Sequence, residues 1–87
     1  FNTLAAQIVN NMRAPDIISL QEVQDNDGAT NSTTVSASTT LQTLVDAINA
    51  AAVVAGSPAV YAFQDNPFIA DDQNGGEPGG NIRNAFL

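Results

Sequence analysis

One carboxylate near the end of an apolar run is the chemically most informative feature of the chain. In Pro15-Asp16-Ile17-Ile18-Ser19-Leu20-Gln21-Glu22-Val23-Gln24-Asp25, Glu22 closes a short, β-branched segment. The C-terminal ends of strands are where α/β proteins place ligands, and a carboxylate there is costly unless a cation, a donor or water meets it. A hard cation such as Mg²⁺ takes one or two carboxylates and keeps several waters, so Glu22 is a candidate metal ligand. The plain alternative is a glutamate that emerges at the strand end and is solvated.

The cationic side chains are few. Arg13 and Arg83 face nine Asp and Glu residues among 87, for a formal net charge of −7, and there is no lysine, histidine or cysteine. Without His or Cys, the chain holds no structural zinc site, no Ser-His-Asp or Cys-His triad and no disulfide. With two arginines it does not bind nucleic acid by bulk charge neutralisation, which takes several Lys or Arg contacts. Phosphate chemistry would need a metal or residues outside these 87.

Other patterns carry less. Asp25-Asn26-Asp27-Gly28 invites a calcium-loop reading but lacks the third ligand before the glycine and the closing Glu of an EF-hand, so a turn is expected. Gly75-Gly76-Glu77-Pro78-Gly79-Gly80 has neither the lysine nor the strand-to-helix setting of a phosphate-binding loop and reads as a connection between strands. Asn31-Ser32-Thr33 fits a glycosylation acceptor.

The elements that must position these residues follow from periodicity. Phe1, Leu4, Ala5, Ile8, Val9 and Met12 form one apolar stripe at helical spacing, with Asn2 or Thr3 able to cap its start and Pro15 stopping it. Residues 16–23 have the pattern of a strand covered on both faces. Residues 24–39 are a polar loop. A second helix begins near Ser38 to Thr40, carries Leu41, Leu44, Val45, Ile48, Ala51, Ala52 and Ala55 on one face, and ends at Gly56-Ser57-Pro58. Residues 59–63 alternate small and large side chains as a short strand. After a Pro/Gly/Asp connection over 65–80, residues 81–87 begin another.

Helix, strand, helix, strand, strand is the order of an α/β layer with helices packed on a sheet. Each helix needs a wider apolar sheet than three short strands supply. The chain also starts without Met and ends on Phe86-Leu87 inside an expected strand. Residues 1–87 are therefore expected to be a single partial domain, truncated at both ends. No apolar stretch is long enough to span a membrane, no signal-peptide pattern is visible, and nothing points to an oligomer.

Residues 4–24 resemble the helix and "PDII.LQE" strand of the endonuclease/exonuclease/phosphatase superfamily, which includes deoxyribonuclease I, exonuclease III and inositol-polyphosphate phosphatases. Gly79-Gly80-Asn81-Ile82-Arg83-Asn84-Ala85-Phe86-Leu87 is similar to the "GGN.R.AFLY" strand of its secreted bacterial, nuclease-like members, and 65–72 looks like their variable connection. The resemblance implies a four-layer α/β sandwich, incomplete in this chain. It implies Glu22 as ligand of a catalytic Mg²⁺ (or Mn²⁺ or Ca²⁺), and Gln24 and Arg83 as contacts to a nucleic-acid substrate. Arg83 can equally be an ordinary strand arginine, solvent-facing or paired with Glu77. The family's other metal ligands and its catalytic Asp and His have no counterpart here, so no residue is assigned as catalytic, and the 87 residues alone are expected to be inactive. The implied activity is metal-dependent phosphodiester hydrolysis, of DNA or RNA, in a secreted or cell-surface bacterial protein; the absence of Lys and Cys and the wealth of Asn, Thr, Ser and Asp agree with export. The competing expectation is a non-catalytic acidic module that binds calcium or a protein through its Asp-rich loops.

Overall fold

Apolar periodicity builds the two helices, and their packing explains where they depart from the ideal pattern. The computed structural model describes residues 1–74 and 78–87. The first helix, α1, is α-helical over Asn2–Ala6 and continues as a π-helix over Gln7–Asn11. The Met12 N–H reaches Gln7 O at 3.0 Å, five residues back. A π turn advances each residue through a smaller angle than an α turn, so a stripe written for 3.6 residues per turn drifts. Met12, at the end of the π segment, is exposed while Ala5, Ile8 and Val9 stay buried; Phe1 and Leu4, ahead of that segment, are exposed as well. Neither Asn2 nor Thr3 caps the start, which has no side-chain cap. At the other end the chain leaves through Arg13 and Ala14, both left-handed (φ 61° and 47°), before Pro15.

The second helix, α2, spans Ser38–Val54. Its own N-terminal residue supplies no cap; instead the Asn26 side chain, from the preceding loop, accepts the N–H groups of Thr39 and Thr40 at 2.8 and 3.2 Å. Its C-terminus closes as the sequence predicts. Gly56 is left-handed, its N–H donates to Val53 O, and the Ser57 N–H donates to Ala52 O, the double hydrogen bond of a glycine-terminated helix. Leu44, Val45, Ile48 and Ala52 of α2 pack on Ala5, Ile8 and Val9 of α1 and on Ile18 and Tyr61 in the main core. Burying each large aliphatic side chain there stabilises the fold by about 1.5–3 kcal/mol before entropy is charged.

Strands β1 (Ser19–Val23) and β2 (Arg83–Phe86) form a two-stranded antiparallel sheet. Together with the helices this is a mixed α/β fold. The strand expected over 16–23 begins three residues later and is not covered on both faces. Ile18 is buried and Leu20 and Val23 are half-buried against the helix side, whereas Ile17, Ser19 and Gln21 are exposed. The strand expected over 59–63 does not form. Asn49 of α2 accepts the Tyr61 N–H at 2.7 Å and donates to Tyr61 O at 3.0 Å, taking both backbone groups that a neighbouring strand would use. The chain reaches the sheet one residue later, where Gln64 and Phe86 form a single antiparallel bridge.

Candidate functional site

Glu22 sits in a β-bulge. The register pairs Leu20 with Ala85 and Val23 with Arg83, so Gln21 and Glu22 together oppose Asn84. Glu22 takes up the extra length in a left-handed conformation, φ 55°, which costs a residue with a Cβ about 1–2 kcal/mol. Bulges of this kind re-aim a side chain out of the strand's alternation. The Glu22 side chain is exposed at the rim of a cavity of about 300 Å³ whose other walls include Asn66, Ile69, Asn74, Arg83 and Asn84.

The structure brings Glu22 and Arg83 to the same cavity and places Gln24 elsewhere. Gln24 is exposed and lines a more apolar groove of about 320 Å³ with Phe1, Leu20, Leu41 and Leu44. Glu22 borders both spaces.

Arg83 is not a solvent-facing strand residue, because it is only 6 % exposed. Its Nη1 lies 3.4 Å from both carboxylate oxygens of Asp65, and its Nη2 donates to the carbonyls of Val35 and Asn81. Its Nε is buried without a partner among the described residues. The expected alternative partner, Glu77, and Gly75-Gly76 lie outside the described residues. A guanidinium held in this way is fixed in place, with one donor left over, next to a carboxylate-rimmed cavity.

Periodicity and motif spacing gave no notice of Asp65, Asn66, Asn74 or Asn84, which surround Glu22 and Arg83. They lie mostly on irregular backbone, where polar residues are unremarkable in a sequence. Asn74 is left-handed, as is Asn81, and Asn tolerates that conformation better than most residues. Asn81, 2 % exposed, ties the loops behind the site together. Its amide donates to Thr34 O and to Asp71 Oδ1, and its Oδ1 accepts the Asp72 N–H.

Asp25-Asn26-Asp27-Gly28 forms the expected turn, with the Gly28 N–H on Asp25 O at 3.2 Å and the Asp27 N–H on Asp25 Oδ1 at 3.1 Å. Its charge state is less ordinary. Burial, and then the Asp27 carboxyl beside it, push the Asp25 carboxyl above the usual range. The Ser32 hydroxyl, donating to Asp27 Oδ2 at 2.6 Å, and contact with Asp25 hold Asp27 below it.

As a metal ligand, Glu22 offers one carboxylate beside the amide oxygens of asparagines, an all-oxygen donor set that suits a hard, largely hydrated cation. Among the described residues no three His, Cys, Asp or Glu side chains converge as in a dedicated metal cage. Among them, too, no helix is long and apolar enough to cross a membrane. Comparison with models of known protein families, with curated proteins and with solved structures yields no match to this chain.

Proposed function

We propose that the chain is part of a divalent-metal-dependent phosphodiesterase of the endonuclease/exonuclease/phosphatase type, a nuclease acting on DNA or RNA. In this reading the two helices and the β1–β2 ladder belong to one half of a four-layer α/β sandwich, and the protein is exported by a bacterium. The observation that carries the reading is the meeting of Glu22 and Arg83, from the two sequence segments that resemble that superfamily, at one cavity.

Each residue then has a role set by its environment. Glu22, turned outward by the bulge, would hold a Mg²⁺ or Mn²⁺ ion, which when bound stabilises negative charge on a phosphate oxygen. Arg83, pinned by Asp65 and two carbonyls, lines the cavity as a fixed guanidinium that would favour a phosphate there without having to be ordered on binding. The asparagines around the cavity offer neutral donors that do not repel a polyanion. Local donors and a cation thus replace the bulk positive charge that the chain lacks.

The test is cleavage of plasmid DNA and of a defined RNA by the native protein with and without Mg²⁺. Glu22→Ala is expected to lower metal-dependent cleavage about 100-fold or more, the scale of losing a group that stabilises transition-state charge, while leaving the circular dichroism spectrum intact. The 87 residues alone, which lack a histidine base, are expected to show no turnover. Wild-type cleavage by the folded Glu22→Ala protein would remove Glu22 from the mechanism.

A further inference from the structure

We propose that the turn containing Asp25 and Asp27 is a binding site for a hard divalent cation, calcium by preference, distinct from the cavity of Glu22 and Arg83. The reasoning starts from a buried oxygen with nothing to bind. Asp25 is 2 % exposed, and its Oδ2 has no hydrogen-bond partner among the described residues. Its Oδ1 is taken by the Asp27 N–H. A buried carboxylate oxygen in that position calls for a donor or a cation.

Neither arginine meets it. Arg83 is committed to Asp65, Val35 and Asn81, and its pair with Asp65 is the one ion pair among the described residues. Arg13 is exposed beyond α1. The carboxyl two residues on, Asp27, whose own N–H holds Asp25 Oδ1, adds a second negative charge beside the first. One divalent ion between the two satisfies the orphaned oxygen and removes the repulsion together.

The donors on hand are all oxygen: the two carboxylates and the Ser32 hydroxyl that already touches Asp27. That composition selects Ca²⁺ or Mg²⁺ over zinc or copper. Two carboxylates on an irregular turn, completed by water, suit the flexible six-to-eight-fold coordination of Ca²⁺ better than the strict octahedron of Mg²⁺. Asp27 is exposed, so the ion reaches the site from solvent. The site would also be coupled to the fold. Asn26, between the two aspartates, caps α2, and the Asp25 carbonyl accepts the Thr40 hydroxyl at 3.1 Å.

The experiment is calorimetric titration of the 87-residue polypeptide with CaCl₂ near neutral pH, with melting curves in chelator and in excess calcium. Saturable uptake at one site and a calcium-dependent rise in Tm of about 5 °C or more are expected, with a smaller response to Mg²⁺. Asp25→Asn, which keeps the side-chain shape and needs no cation to fold, should lose both responses. Asp46→Asn, at an exposed position on α2, should keep them. Absence of uptake by the wild type at millimolar calcium overturns the proposal, as does full uptake by Asp25→Asn and Asp27→Asn. Uptake that vanishes in Glu22→Gln alone assigns the ion to the other cavity and overturns it too. A wild-type Tm indifferent to calcium but raised by acid would identify a proton shared by the two aspartates in place of a metal.

Discussion

Removing the Arg83 guanidinium strands the carbonyls of Val35 and Asn81 and takes from Asp65 its ion partner. Arg83→Met fills a similar volume with no donor, and its expected cost is about 3 kcal/mol, measurable by urea denaturation. Tyr61 gives the pH counterpart. Its hydroxyl donates to Pro15 O, and burial, with Asp16 nearby, raises its pKa above the ordinary 10.0. A folded-state pKa above the unfolded one means that protonated Tyr61 contributes stability at lower pH and that this contribution is lost as pH climbs past 10. Tyr61→Phe should therefore lose the stability decline above pH 10, followed by Tm against pH. At this scale the sequence is informative about identity more than environment. Glu22 was legible as a ligand candidate, because a carboxylate closing an apolar run is unusual. Its bulge was not, since a bulge depends on a partner strand one residue shorter. The burial of Arg83 was equally hidden, because its partners come from residues 35, 65 and 81, where no periodicity marks them.

Among the elements, α2 was the most legible, since its stripe and its glycine terminus are both local signals. Its N-terminal cap was not, because Asn26 lies outside the helix altogether. The alternation over 59–63 misled for a physical reason. Small-large alternation marks a segment with one buried side, and Tyr61 is buried, but the backbone partner turned out to be the Asn49 side chain. Asn49 therefore acts as a one-residue substitute for a strand. Asn49→Ala should destabilise the protein by about 1–3 kcal/mol through two half-buried backbone groups left unpaired. Hydrogen exchange should show the Tyr61 amide losing its protection while amides in the middle of α2 keep theirs. Equal protection of Tyr61 in both proteins would show that the Asn49 clamp is not what shields that amide.

For the molecule as a whole, charge and shape act together. A net charge of −7 is spread over a body measuring 41 × 19 × 16 Å. At about 0.01 M salt the screening length is about 30 Å, longer than the two short dimensions, and at physiological ionic strength it is about 8 Å. Carboxylates on opposite sides thus repel at low salt and largely ignore one another at moderate salt. Tm is expected to rise over that range of NaCl, in chelator to keep divalent ions out; a flat or falling profile would mean that the remaining ion pair outweighs the general repulsion. Composition made this legible before any fold was known. The mixed α/β class was also readable, whereas sheet extent was not, since strand pairing is a property of distant segments.

The sheet joins segments about sixty residues apart, with α2 and both loops between them. Closing so long a loop is entropically late work for a folding chain, because short-range contacts such as those within the helices and from Asn49 to Tyr61 form at lower cost. Glu22 and Arg83 are thus brought together by the least local pairing in the fold. A nascent chain emerging N-terminus first would carry Glu22 long before Arg83, and their shared cavity would exist only once β2 has paired with β1. The bulge that turns Glu22 outward is likewise created by that pairing, so the cavity and its geometry arise in one step of folding.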